Sequence, residues 1–501
     1  MMTAIQQPQL TTLADLLIDL AISVDDSWST IAVAGLQLDS REVIAGDVFL
    51  ACCGELHDGR DYIEQAVSQG AVAVLAQATD GGLAQYTVAN VPVIPMVNLD
   101  QQLSEIAGRF YRHPSQQLPV LAITGTNGKT SCTQLFVQLL NSLDVSCGAI
   151  GTLGSGVDGV LDAGVNTTPD AITVQRQLSQ WFAQSVPAAV MEVSSHGLAL
   201  GRVSALRYVA AIFTNLSRDH LDFHGSMKAY GETKSKLFQQ PGLEFAIVNA
   251  DDSFCCQLKQ TIPASVQVLD YSISDRKAAV FANEIKSGRS GVSAELVTPW
   301  GVFSLQSPLL GAFNLSNLLA VITAAVVMGY RLEDILPAIK NIQPASGRME
   351  LLTAASDIDV VVDYAHSPDA LKNALQALRE HCRGNLWCVF GCGGDRDQGK
   401  RTMMGAIADQ LADHCIVTSD NPRSESAKAI AKQVTAEMSS ATIVELDRGK
   451  AIAQAVEQAA PSDWILIAGK GHETYQLVGG QSLPFSDFKQ ARLALAARGA
   501  K

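Results

Sequence analysis

A chain of 501 residues is longer than one hydrophobic core supports, and ordinary domain sizes divide it into about three domains. Hydrophobic residues make up 47% and charged residues 17%, which suits packed cores and leaves little room for disorder. The formal net charge of −14 argues against a nucleic-acid or anionic-membrane surface, so any anionic ligand must meet a local cluster of Lys, Arg and backbone N–H groups.

The first residues carry no basic stretch but do carry Asp15, Asp19, Asp25 and Asp26, so no secretory signal is expected. Residues 1–117 alternate short strands (47–51, 71–75, 91–97) with helical runs such as 62–68, the pattern of a small α/β domain. The pattern breaks at Arg112-His113-Pro114-Ser115, which suits a linker. Residues 118–343 open with a buried strand over 119–123, a glycine loop and an amphipathic helix over 130–143. Further strands are expected at 188–191, 209–213 and 245–248, then a strand-rich stretch over 278–305. Gly311-Ala312-Phe313-Asn314 leads into an apolar helix ending near Met328, too short to span a bilayer. Residues 344–501 form a third unit. It has a strand at 360–362, a helix capped by Ser367 with Pro368 at its first position, and strands at 386–390, 415–418 and 464–468. The expected fold class is therefore α/β in three domains, with mainly parallel sheets. Ten cysteines include the adjacent pairs Cys52-Cys53 and Cys255-Cys256, and no C-x-x-C spacing recurs, so reduced thiols in a cytoplasmic protein are expected.

Thr124-Gly125-Thr126-Asn127-Gly128-Lys129-Thr130 lies between a strand and a helix, the setting of a phosphate-binding loop. Gly125 and Gly128 let backbone N–H groups approach phosphate oxygens, Lys129 adds a point charge, and the Thr130 hydroxyl can ligate Mg²⁺. Ile123 stands where the common pattern has its first glycine. An ordinary βα turn with Lys129 on a solvated helix start is the plain alternative. In an open parallel sheet ligands gather at the carboxyl ends of strands, which singles out Glu192 and His220 as a possible metal pair beside the phosphates. Taken alone, each is an ordinary hydrogen-bonding residue, and Mg²⁺ prefers oxygen ligands.

Six motifs then occur in order: Thr-Gly-Thr-Asn-Gly-Lys-Thr, Met-Glu-Val-Ser-Ser-His-Gly, Thr-Asn-Leu-Ser-Arg-Asp-His-Leu-Asp, Gly-Arg-Met-Glu, Asp-Tyr-Ala-His and Gly-Lys-Gly-His-Glu. In these motifs the chain closely resembles the Mur ligases of peptidoglycan synthesis over nearly its whole length. The resemblance implies an N-terminal domain for the UDP end of a substrate (1–117), a central ATPase (118–343) and a Rossmann-like C-terminal domain for an incoming amino acid (344–501). It also implies a monomeric cytoplasmic enzyme using ATP and Mg²⁺ on small-molecule substrates. ATP phosphorylates the γ-carboxylate of D-glutamate, and an amine attacks the acyl phosphate. By resemblance, Gly125, Thr126, Asn127, Gly128, Lys129, Thr130, Ser131, Asn314, Arg348 and Asp363 fall on the ATP side. Thr130, Glu192, His220 and Lys234 fall at the metal, with Lys234 matching a lysine that the family carbamylates. Lys129, Glu192, His220 and Lys234 are the catalytic candidates. Leu38 and Ser40 match uridine contacts, and Asn166, Thr167, Thr168, Ser194 and Arg202 match the sugar-peptide contacts. Glu55-Leu56-His57 and Leu200 depart from the familiar composition at substrate-facing positions. Without the resemblance, Lys234 reads as a solvated helix residue, and Asn314, Arg348 and Asp363 as a cap, an ion-pair and a turn residue.

Asp420-Asn421-Pro422-Arg423 is by itself a turn signal, yet in the family it marks the members that add diaminopimelate. Diaminopimelate differs from lysine by a far carboxylate, which the Arg423 guanidinium can grip bidentately. Arg396, Gly469 and Glu473 match the remaining amino-acid contacts, with Glu473 able to hold the far ammonium. A lysine-adding member would lack Arg423, and a folylpolyglutamate synthetase-like ligase would not combine this turn with Gly-Lys-Gly-His-Glu. A non-catalytic nucleotide switch would need neither His220 nor Lys234, and a small-molecule kinase would release a stable phosphorylated product.

Overall fold

The computed structural model describes residues 11–20, 24–54, 57–78, 84–164, 166–288, 291–352, 356–439 and 442–499. They form two compact units. The first takes its residues from 11–122, 146–209 and 240–243, the second from 123–145, 210–239 and 244–499. Compactness thus divides the chain differently from its motifs: the glycine loop and everything beyond residue 344 share the second unit.

In the first unit, strands Gly35–Gln37, Asp47–Ala51, Ala73–Ala78, Val91–Val97 and Tyr86–Val88 lie in that spatial order, and only the last pair is antiparallel. Alternate side chains of a strand point to opposite faces. Val48, Leu50, Leu75 and Ile94 therefore join one core with Leu13, Leu99 and Ile106, while Phe49, Ala51, Val74 and Val93 join another with Ile63 and Ala66. Burial on both faces is why the sequence runs apolar without a break over 48–51. The same unit holds Ala188–Glu192 parallel to Cys147–Gly151, which continues antiparallel into Gly154–Val157 and Val160–Asp162.

In the second unit, Ala210–Phe213, Phe245–Asn249, Gln267–Ser272 and Val280–Gly288 run parallel in sequence order. The expected strand-rich stretch is an antiparallel meander of Val280–Gly288, Gly291–Thr298 and Gly301–Ser307. Helix Ala312–Val327 is buried along most of its length, which explains its apolar composition all round. A six-stranded sheet follows in the order Glu350–Leu352, Asp359–Asp363, Trp464–Ala468, Leu386–Phe390, His414–Val417, Ile443–Val444, parallel except for its first pair. Val361, Cys388 and Leu466 face one core, and Val360, Val389 and Ile467 face the other. Ser367 caps helix Pro368–His381 through the N–H of Ala370, as its spacing predicts. All ten cysteines are free thiols, and no helix among the described residues is long and apolar enough to cross a membrane.

Candidate active site

The glycine loop leaves the end of strand Val120–Thr124 and is held by the segment after Ala210–Phe213. Thr126 N–H donates to the Asn215 carbonyl at 2.8 Å, Asn127 N–H to Asn215 Oδ1 at 2.9 Å, and the Thr214 hydroxyl to the Asn127 carbonyl at 2.6 Å. Gly125 has φ +146°, and a Cβ there would lie 1.9 Å from Thr214 Oγ1. Gly128 has φ +88° and would meet Asn317 Oδ1 at 2.6 Å. Both glycines therefore serve close approach as well as backbone freedom. Helix Lys129–Asn141 opens on Gly128 with no side-chain cap and no acidic residue in its first turn. Its N–H groups and the Lys129 ammonium suit a phosphate chain, so the donor set fits a nucleoside triphosphate. Thr130 and Ser131 are buried in that first turn. Lys129 Nζ donates to the carbonyls of Gly125 and Thr126 at 2.8 and 2.9 Å, and Lys234 Nζ to Gly125 at 2.9 Å.

Lys234 lies on helix Met227–Ser235 and is 1% exposed, so the solvated-helix reading fails. Burial first, and the neighbouring Lys129 charge second, push its amine well below the ordinary lysine range. Its Nζ stands 4.5 Å from the ring centroid of Tyr230, whose hydroxyl lies 3.3 Å from Thr126 Oγ1. His220 has φ +54°, with its Nε2 3.5 Å from Asp219 Oδ2 and its ring 6.1 Å from that of Tyr230. Burial alone would raise the Asp219 carboxyl, but the charges of His220, His366 and Lys400 leave it below its usual range. Among the described residues no three His, Cys, Asp or Glu side chains gather into a cation site. A sparse oxygen-and-imidazole set is compatible with Mg²⁺, which takes few protein ligands beside phosphate oxygens and water.

Within the first unit, a hydrogen-bonded chain joins five expected residues. Glu192 is 1% exposed, and its two oxygens accept from the N–H and hydroxyl of Thr152 at 2.9 and 3.0 Å. The Thr152 hydroxyl lies 3.0 Å from that of Thr167. Thr168 Oγ1 donates to the Glu192 carbonyl at 2.8 Å and accepts from Ser194 N–H at 2.9 Å, while Arg202 Nη1 donates to the Thr168 carbonyl at 2.7 Å. Burial lowers the Arg202 guanidinium from its ordinary value. Asn166 is exposed, as is Leu200. Leu38 packs against the core that includes Leu36, and the buried Ser40 donates to Gln65 Oε1 at 3.1 Å. His57 is exposed, its carbonyl accepting from Gly54 N–H, whereas Glu55 and Leu56 lie outside the described residues.

In the second unit, a cavity of about 400 Å³ beside the loop is lined by Asn215, Asn249, Phe313, Asn317, Asp369 and Asn373, among others. Asn127 Nδ2 donates to Asp369 Oδ2 at 3.3 Å, tying the loop to helix Pro368–His381. Asn314 is buried and donates to the Leu310 carbonyl at 2.9 Å. The Arg348 guanidinium lies over the Tyr364 ring at 4.4 Å. Asp363, whose Oδ2 accepts from Met349 N–H at 2.7 Å, is pushed up to about 6 by burial, with Arg348 opposing.

The turn at Asp420–Arg423 follows strand His414–Val417. Arg423 has φ +53°, its N–H donating to Leu477 and its carbonyl accepting from Gly479. Its Nη1 donates to the Gly394 carbonyl at 2.8 Å, and a Cβ on Gly393 would lie 3.0 Å from that nitrogen and 3.9 Å from Arg396 Cγ. The Arg423 guanidinium and the aliphatic stem of the exposed Arg396 therefore flank Gly393. Asp420 and Asn421 are buried, as is Pro422. Asp420 Oδ2 has no hydrogen-bond partner among the described residues, and only a glycine fits at Gly469, where a Cβ would meet that oxygen at 2.4 Å. Glu473 Oε2 accepts from Lys470 Nζ at 2.7 Å and from Asn421 Nδ2 at 2.9 Å, so it already holds one ammonium of the protein's own. Sequence reasoning missed Thr152, Tyr230 and Lys470. Tyr230 was findable as the i−4 neighbour of Lys234, and Lys470 stands inside a quoted motif.

Three family models match the chain in order. "Mur ligase family, catalytic domain" covers residues 32–111, "Mur ligase middle domain" 123–325 and "Mur ligase, glutamate ligase domain" 347–471. A UDP-N-acetylmuramoyl-L-alanyl-D-glutamate–2,6-diaminopimelate ligase of Pseudomonas aeruginosa is 48% identical over 92% of this chain and 95% of its own length. The like-named ligase of Coxiella burnetii is 44% identical over 93% and 96%. A solved structure of a ligase with that name is 34% identical, covers 98% of this chain and 99% of its own, and superposes with a TM-score of 0.71. MurF from Acinetobacter baumannii, at 20% identity and a TM-score of 0.65 over 94% of each chain, shares the fold. With three family segments in order and relatives at this identity over nearly full length, the chain belongs to the Mur ligase family.

Proposed function

We propose that this chain is an ATP-dependent amide ligase joining meso-2,6-diaminopimelate to the D-glutamate γ-carboxylate of UDP-N-acetylmuramoyl-L-alanyl-D-glutamate. It would work as a cytoplasmic monomer on small-molecule substrates in peptidoglycan precursor synthesis. Arg423 is the observation that carries the choice of amino acid. Its backbone is pinned to Leu477 and Gly479, and its guanidinium, beside Gly393 and the stem of Arg396, supplies a cation for the far carboxylate that lysine lacks.

The glycine loop and the Lys129–Asn141 helix start orient the triphosphate of ATP, and Lys129 offsets negative charge on the transferring phosphoryl group. A γ-carboxylate oxygen forms a bond to the γ-phosphorus while the bond from that phosphorus to the β-bridging oxygen breaks, leaving ADP and an acyl phosphate. A neutral amine of diaminopimelate then attacks the carbonyl carbon. Collapse of the tetrahedral centre expels inorganic phosphate, and the amine's proton passes to solvent or base. Mg²⁺, when bound, supplies charge neutralisation at the phosphates, and Thr130, Glu192, His220 and Lys234 are the residues we assign to holding it. Lys234 takes that role as a carbamate. Its lowered basicity favours the neutral amine, whose attack on CO₂ forms an N–C bond, releases one proton and replaces a repelling cation with an anion. Arg348, Asp363 and Asn314 serve the nucleotide. Leu38, Ser40 and the Thr167–Arg202 network serve the UDP-linked substrate, where Arg202 keeps donors for carboxylate or phosphate.

The test supplies purified protein with Mg-ATP, the UDP-dipeptide and either meso-diaminopimelate or lysine, following phosphate release and product mass. Tripeptide product with diaminopimelate, and little with lysine, is expected; no product with diaminopimelate sinks the assignment. Arg423→Ala should cost diaminopimelate use on the order of 1–3 kcal/mol in kcat/KM, with ATP binding unchanged.

A further inference from the structure

Lys470 is among the largest fully buried side chains, at 0% exposure, and it stands between the selector turn and the segment that carries Glu473. Its Nζ donates to Asn421 Oδ1 at 3.0 Å and to Glu473 Oε2 at 2.7 Å, and lies 5.6 Å from the Tyr475 ring. Asn421 Nδ2 closes the triangle on Glu473 Oε2 at 2.9 Å, and Asn421 Oδ1 also accepts from Leu477 N–H at 3.0 Å. Two consequences follow. The Asn421 amide has one orientation, with its oxygen on two donors and one N–H of its nitrogen on a carboxylate, which makes it a hub that still keeps one N–H to donate. Glu473 is held through a single oxygen, Oε2, which leaves Oε1 as the atom able to take an incoming ammonium.

We propose that Lys470 is a positioning residue for amino-acid recognition: it locks Asn421 and Glu473 together and aims one Glu473 oxygen at the ammonium at the far end of the incoming amino acid. This rests on the diaminopimelate-ligase reading above. A buried lysine on a buried amide and a partly buried carboxylate is costly to assemble, and removing one partner leaves the others uncompensated. The loss should therefore appear where Glu473 and Asn421 act, not at the nucleotide.

Wild-type turnover with diaminopimelate comes first, since its absence removes the reading beneath the proposal. Given turnover, Lys470→Met should raise KM for diaminopimelate by about tenfold or more, with KM for ATP and for the UDP-dipeptide within about twofold. In a Glu473→Gln background the same substitution should add little, because both changes act through one carboxylate. If K470M melts below the assay temperature, Lys470→Gln, which keeps a donor, carries the test with a smaller rise. A diaminopimelate KM equal to wild type overturns the proposal, as does a common rise for all three substrates or full additivity with E473Q.

Discussion

Asp363 places a carboxyl group where an anion is expensive. Burial raises it to about 6, and the Arg348 charge and the N–H groups of Met349 and Ala365 only partly offset that cost. The native state therefore favours the proton more than the unfolded chain does. The stabilising contribution is complete below the ordinary carboxyl value of 3.8 and is lost as pH rises through about 6. Asp363→Asn keeps an acceptor for Met349 N–H and removes the titration. The stability of wild type relative to the variant should then fall between pH 4 and 6, by on the order of 2 kcal/mol, in denaturant melts of the two proteins. A difference that stays flat across that range would show that Asp363 does not titrate there. Such a residue reads in the sequence as a turn at a strand end; its burial and the Arg348 charge that opposes it come from the fold, not from the strand pattern.

At the scale of elements, the loop and its helix act as one piece because Gly125 and Gly128 seat them against Thr214 and Asn317. Gly125→Ala meets both a left-handed backbone and a contact with Thr214 Oγ1, strains worth about 1–3 kcal/mol each at such positions. ATP affinity by calorimetry should fall by about tenfold or more, and Thr214→Ala in the same chain should restore only part of it, since the backbone strain remains. Wild-type affinity in G125A would mean the loop yields freely. This element was legible beforehand, as were the strands buried on both faces, because an apolar run bounded by glycine or proline leaves few alternatives. Trp464–Ala468, with Pro461 shortly before it and Gly469 after it, is of that kind, and the Ser367-Pro368 start of helix Pro368–His381 is set by local capping chemistry. Thr152, Tyr230 and Lys470 were not singled out as site residues, although the sequence held a signal for the last two. Each acquires its place from a partner brought in by the fold: Glu192 for Thr152, Thr126 for Tyr230, Asn421 for Lys470. Glu473 shows the limit from the other side: the family resemblance implies an ammonium binder, and the motif contains Lys470 without showing that this lysine holds one of the Glu473 oxygens.

At the scale of the whole molecule, the second unit joins two segments that motif order alone would separate. Asn127 of the loop reaches Asp369, Arg218 lies 3.5 Å from Asp397, and the charges of His366 and Lys400 act on Asp219. Asp369 and Asn373 line the same cavity as Asn215 and Asn317. A nucleotide in that cavity would make contacts on both segments, and a ligand that binds only the folded arrangement suppresses the openings that expose it. Hydrogen exchange with saturating Mg-ADP should therefore slow over 363–373 as well as over 124–132, while 47–51 in the first unit serves as the reference. The exposed contacts are weak singly: an Arg–Asp pair at 3.5 Å on half-exposed side chains contributes little on its own. Protection of 363–373 would thus have to come from the nucleotide itself. Protection confined to 124–132 would mean that the residues beyond 344 take no part in holding it, and would remove Arg348 and Asp363 from the ATP side.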